Sequence, residues 1–144
     1  MGYLDPKYAI RKRLADDATV AAAVSTRIYE MVAPENAPKP YLTFEGMDGE
    51  HDRVMSGTTG MAWREIDVTA HADTAKACTD IMEAVRLELE DLRTSVTVGS
   101  DSVTLEYVTK ESEDEDYIPS GINANIGTFL KTITFRAWYR SATV

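Results

Sequence analysis

The chain has 144 residues, 44% of them hydrophobic and 27% charged, and its 15 Lys and Arg against 24 Asp and Glu leave a formal net charge of −9. That length suits one domain able to bury a core without metals or disulfides, and the composition excludes the fibrous and wholly disordered classes. So acidic a chain is also a poor wrapper of nucleic acid, because neutralising phosphate takes a basic surface.

The first residues contain no apolar stretch with a cleavage site, so no secretory signal is expected. Pro6 stands where a myristoylation motif wants Ser or Thr. Asp5-Pro6 predicts a helix start, since Asp accepts from orphan amides and Pro at the first helical position loses no hydrogen bond. Tyr8 or Ile10, then Leu14, give a short apolar stripe that stops near Asp16 and Asp17. Asp17 in turn is placed to cap a second short helix over Ala18 to Val24. Val20 to Val24 is the longest uninterrupted apolar run, far short of the roughly 20 residues a membrane span requires. No membrane is expected. Lys7, Arg11, Lys12 and Arg13 make the first helix basic.

After Arg27-Ile28-Tyr29, the prolines at 34, 38 and 40 forbid helix and central strand, so this segment reads as an extended connector. From Tyr41 to Met47 the pattern alternates, with Leu42 and Phe44 on one face, as in a half-buried strand. Gly46 to Gly60, rich in Gly, Asp, Ser and Thr, is either a long loop or the tip of an extended hairpin. Met61 to Ala70 is the next strand, with Ile66, Val68 and Ala70 inward and Glu65, Asp67 and Thr69 outward.

Asp73-Thr74 opens the clearest element. Cys78, Ile81, Met82, Val85, Leu89 and Leu92 recur at three- and four-residue steps, one apolar stripe on a helix of about five turns. Val103, Leu105 and Tyr107 then alternate as a strand ahead of an acidic run, Glu111, Glu113, Asp114, Glu115 and Asp116. Tyr117 to Gly127 reads as a surface loop. A last strand follows, with Ile133, Phe135, Ala137 and Tyr139 on one face and Thr132, Thr134, Arg136 and Trp138 on the other. The expected fold class is α+β. Residues 1–144 would form a single two-layer domain, a mostly antiparallel four-stranded or slightly larger sheet packed by two main helices.

Catalytic motifs are missing. The sequence has no Gly-x-Ser-x-Gly elbow, no phosphate-binding glycine loop and no His-Glu-x-x-His helix. Ser56 to Gly60 resembles a phosphate loop in composition alone. His71 with Asp73 falls short of the three or four ligands a metal site needs. The acidic run lacks the alternating carboxylates and bend-forming Gly of a calcium loop, and reads as solvated or partner-facing. Cys78 lies on an apolar helix face, where a core filler is expected; a lone thiol fits a reducing cytoplasm. No cofactor and no enzymatic activity are expected. Trp63 and Trp138 point away from the helix-covered face. Two readings stay open for them: anchors of an interface, or rings partly covered by neighbouring loops.

Four pieces, in order, carry a resemblance: Ala21 to Tyr29 ending in Arg-Ile-Tyr; Ala33-Pro34 with Ala37-Pro38-Lys39-Pro40-Tyr41; Ile66 to Asp73; and Phe135-Arg136-Ala137-Trp138-Tyr139. This layout resembles the tail-completion (tail-terminator) proteins of long-tailed bacteriophages over nearly the whole chain. The stretch from Tyr117 to Leu130 departs from it by its length. The resemblance implies a homohexameric ring at the head-proximal end of the tail tube, in the virion. Such a ring stops tube growth, contacts the major tail tube protein, and offers the docking surface for a head-completion or connector protein. DNA would pass through its lumen without specific binding, and the family has no catalytic residues to carry over.

A ring needs a heterologous contact between two different surfaces. The basic Arg11, Lys12 and Arg13 and the acidic Glu111, Glu113, Asp114, Glu115 and Asp116 are complementary in sign, across either a subunit boundary or a docking surface. Val54 and Met55 in the Gly46 to Gly60 segment are candidates for burial on docking, and Trp63 and Trp138 for interface anchors. Rival functions are another head–tail connector, head-completion or tube protein, a small ligand-binding or enzymatic α+β domain, and a regulatory partner protein.

Overall fold

The computed structural model describes the backbone of residues 2–54, 57–119 and 127–141, and side chains over 4–47, 62–119 and 127–140. Three helices occur among the described residues. The first, α1, spans Pro6–Asp16; Asp5 caps it by accepting from the Lys7 amide at 3.0 Å, with Pro at the first position. Asp17 ends α1 and also caps α2, Ala18–Val24, accepting from the Val20 amide at 2.9 Å. The third helix, α3, spans Ala75–Leu89 behind the cap Thr74, and buries Cys78, Ile81, Met82, Val85 and Leu89. Its last turn stops short of Leu92, which packs on the core from the following turn.

The strands are β1 (Gly2–Tyr3), β2 (Ile28–Glu30), β3 (Tyr41–Val54), β4 (Gly57–Ala72), β5 (Thr94–Val98), β6 (Asp101–Pro119) and β7 (Gly127–Ser141). Their hydrogen-bonded order is β1-β6-β7-β4-β3-β2, with β5 pairing β6 off that path. β1–β6 and β2–β3 are parallel; the other pairs are antiparallel. The sheet curls into a half-barrel, and α1 lies inside the curl, touching β3, β5 and β6.

Two-residue alternation sends Leu42, Phe44, Ile66, Val68, Ala70, Ile133, Phe135 and Ala137 into the concave side, all buried. They meet Ile10, Leu14, Val20, Met82, Val85 and Leu89 from the helices in one cluster. A fully buried side chain of this size contributes about 1.5–3 kcal/mol of transfer free energy, so these rows dominate stability. At one point the concave row carries charge. Arg64 reaches Asp5 at 2.9 Å and ties β4 to the cap of α1. It has room because position 46 is glycine: a Cβ there would lie 2.3 Å from an Arg64 guanidinium nitrogen.

The expected four-stranded or slightly larger sheet packed by two main helices is overturned, though the class is still α+β. The sheet is larger and mixed, and there are three helices: α1 and α3 pack on the sheet, and α2 packs on α1 and α3. The missed strands β1, β2 and β5 are 2, 3 and 5 residues long, too short to show a period. The acidic run is strand as well, because β6 continues to Pro119 along β7. Gly46 to Gly60 resolves as hairpin, since β3 and β4 pair out to Val54↔Gly57. Expected alternation also fails at Tyr107. A bulge between Leu105 and Tyr107 turns Tyr107 outward and Val108 inward.

Candidate functional site

The helices cover one face of the sheet, and the opposite face carries a continuous row of cross-strand polar and aromatic pairs. At one end Tyr41 stacks on His71 with ring centroids 4.5 Å apart, and His71 Nε2 lies 3.0 Å from the Thr43 hydroxyl. Burial pushes the His71 imidazole below its ordinary range. Next come Thr69 with Thr132 at 2.8 Å and the Thr134 hydroxyl donating to Asp67 at 2.6 Å. Neighbours directly opposite on one sheet face interact in this way because their Cβ atoms are about 5 Å apart.

The row then becomes aromatic. Trp63 and Trp138 are register partners across β4 and β7, with ring centroids 6.3 Å apart. Tyr107 is the register partner of Trp138 across β6 and β7, so three aromatic residues lie abreast. The Arg136 guanidinium sits 4.1 Å from the Trp63 ring centroid and lies between Glu65 at 3.5 Å and Glu111 at 3.3 Å. Both tryptophans are half-buried in this row, and Arg136 lies over the Trp63 ring.

The acidic run sits on the far half of β6. Glu111 pairs Arg136, Glu113 pairs Lys110 at 2.9 Å and Glu115 pairs Lys131 at 3.6 Å. Lys110 holds the Glu113 carboxyl below its ordinary range. Asp114 and Asp116 have no ion pair among the described residues. The basic helix is likewise partly committed: Arg13 pairs Glu88 at 2.8 Å, Lys12 pairs Asp16 at 3.0 Å, and Lys7 pairs Glu30 at 2.7 Å. Arg11 is exposed and has no ion pair among the described residues. Within one chain the two charged segments do not meet. α1 reaches β6 at its start, where Arg11 and Lys12 line a groove with Asp101. From there to residue 113 the strand runs on the order of 40 Å.

Val54 lies at the end of β3, opposite Gly57; Met55 falls outside the described residues. Cys78 is buried, its thiol donating to the Phe129 carbonyl at 3.0 Å, and burial pushes that thiol up. No group of three or more His, Cys, Asp or Glu able to hold a metal ion occurs among the described residues. Sequence reasoning missed Arg136 as the centre of the outer row, and Met31 and Val32, which stand 68% and 76% exposed beside β2. Arg136 was legible as an outward position, but its partners come from two other strands.

Among solved structures, a chain from the virion of a native gene transfer agent (GTA) particle matches with a TM-score of 0.73 and 17% identity, over 94% of this chain and 94% of that one. At that identity the likeness establishes a shared fold. No curated protein sequence matches. The family model for tail completion protein gp17 matches residues 8–140. That match spans nearly all of the helical cap, the four long strands and the outer-face row, and the chain therefore belongs to the phage tail-completion family, as a structural protein of the virion tail.

Proposed function

We propose that the chain is one subunit of a closed ring, a hexamer, that terminates the head-proximal end of the phage tail tube and presents the surface on which the head-completion or connector protein docks. In this reading residues 1–144 act as one unit, working by contact and catalysing no reaction. The observation that carries it, beside family membership, is the separation of opposite charges to the two ends of β6. Ring closure needs two different, complementary surfaces on one subunit. Arg11 and the edge bearing Asp114 and Asp116 supply the free charge of each sign, while Arg13 and Glu111 are committed inside the chain. Such charges orient the encounter and burial of apolar surface supplies most of the affinity.

Two further features support the reading. The hairpins overrun the sheet in opposite directions: Gly57–Gly60 precede the first β4–β7 pair, Met61↔Arg140, and β6 and β7 pair on to Pro119↔Gly127 past the last one, Ala72↔Phe129. The first overhang spans roughly 14 Å at about 3.4 Å per residue, enough to reach a tube protein or a docked head. The net charge of −9 suits a lumen through which DNA passes without sticking, since a basic wall would retain phosphate by counterion release.

Native mass spectrometry with negative-stain imaging tests this. A single six-membered ring with a central hole is the expected outcome. Long tubes would indicate a tube protein instead, and a strictly monomeric chain with no affinity for tail components would discard the proposal. Arg11→Glu should weaken the ring at low salt if the charges meet between subunits. Limited proteolysis should cut free protein at the β3–β4 tip and spare it after docking.

A further inference from the structure

On the outer face, Arg93, Glu106, Tyr107 and Trp138 line an open groove of about 450 Å³. Tyr107 is fixed in place, its hydroxyl donating to Asp91 at 2.6 Å, so the groove has a rigid aromatic floor of Tyr107 beside Trp138. Glu106 is neutralised by Arg140 at 3.1 Å. Arg93 is exposed and has no ion pair among the described residues. The groove is therefore aromatic, with the Asp91 carboxylate engaged by Tyr107 and Arg93 left as its cation without an ion pair among the described residues, a surface suited to an apolar, proline-bearing segment whose acid can reach Arg93.

The chain itself carries such a segment at the opposite edge of the sheet. Met31 and Val32 are exposed beside β2. The following Pro34 accepts from the Ala37 amide at 3.1 Å, closing a turn that presents Glu35, exposed and without an ion pair among the described residues. The segment is held ready: the Met31 amide donates to the Phe44 carbonyl at 2.8 Å. Met31 also holds a φ of 65°, an uncommon conformation for a non-glycine residue that persists only where the surroundings enforce it. Exposed apolar side chains on a preorganised segment lose little entropy on binding.

Resting on the ring reading above, we infer that the Met31–Glu35 segment of one subunit seats in the Tyr107–Trp138 groove of the next, with Glu35 meeting Arg93. Segment and groove lie at opposite edges of the sheet order, so the contact is heterologous and repeats around a closed ring. The occupant is a second copy of this chain. Its charge and its apolar, proline-turned shape both match the site.

The test is charge reversal with exchange. Glu35→Lys and Arg93→Glu should each raise the concentration for half-assembly by about tenfold, and the double variant should restore it. Val32→Asp, an exposed change that spares the fold, should weaken assembly alike. The pair Glu35→Cys with Arg93→Cys should give a ladder of disulfide-linked oligomers on oxidation. Assembly of the wild type together with unchanged assembly of both reversal variants and no ladder from the cysteine pair would overturn this contact and leave the ring standing. A wild-type chain that never assembles would remove the ring and the contact together.

Discussion

Arg13 on α1 holds Glu88 on α3 at 2.8 Å, with only 18% of the Glu88 side chain exposed. That contact converts a residue of the basic helix from a free charge into a brace between two helices on the concave side. Arg13→Ala should lower stability by about 1–2 kcal/mol, between the values for exposed and buried pairs, as read by urea unfolding.

The same pair sets a pH dependence. Burial pushes the Glu88 carboxyl above its ordinary range, and the charge of Arg13 pulls it back only in part. A raised carboxyl means that the folded state holds the proton more tightly than the unfolded chain. Its contribution is therefore fully present below the unfolded value of about 4.3 and is lost as pH rises through the raised folded value. Glu88→Gln should remove that slope from a stability–pH curve.

Other carboxylates act in the opposite direction. A hydrogen bond from Lys7 holds Glu30 below the ordinary range, and Lys110 does the same for Glu113. Their contributions are present above the unfolded carboxylate value and are lost as pH falls through the lowered folded values. Lys7→Met with Lys110→Met should flatten the acid limb of the curve, and an unchanged acid limb would contradict the assignment.

Phe135 is fully buried on β7, between β4 and β6. Phe135→Ala should cost about 3–5 kcal/mol, the transfer and cavity terms together. Thermal unfolding followed by circular dichroism would measure it.

Gly127 opens β7 opposite Pro119: a Cβ there would lie 2.3 Å from the Ile118 carbonyl oxygen, which is backbone and cannot swing away. Gly127→Ala should therefore destabilise by about 1–3 kcal/mol. Hydrogen exchange should report the damage at the connected end of the β6–β7 hairpin, around Ile118 and Gly127, and leave α1 protected.

Arg136 lies over Trp63 and between two carboxylates. Arg136→Ala should shift Trp63 emission to longer wavelength in a Trp138→Phe background and reduce stability by about 0.5–1 kcal/mol. Emission that does not move would mean the guanidinium does not shield the ring.

The local signals in the sequence were sufficient for several elements. Asp5-Pro6, Asp17 and Thr74 carry their caps within a few residues, and the stripe from Cys78 to Leu89 is a property of one helix, so α1, α2 and α3 could be located from the chain alone. The inward rows of β4 and β7 were legible for the same reason, since alternation needs only one strand. The order of the pieces along the chain also sufficed for the family resemblance.

What the sequence left open depends on partners far away in the chain. Strands of two to five residues have no period, so β1, β2 and β5 exist only because β6 and β3 offer them an edge. Five acids between 111 and 116 read as a solvated run, yet β7 supplies their ladder, with Arg136 and Lys131 compensating charge from across the sheet and Lys110 from within β6 itself. The outer row of Trp63, Trp138, Tyr107 and Arg136 gathers three strands through register, and a single bulge decides which face Tyr107 takes. Register and strand order are long-range pairings, and only the folded sheet could choose them.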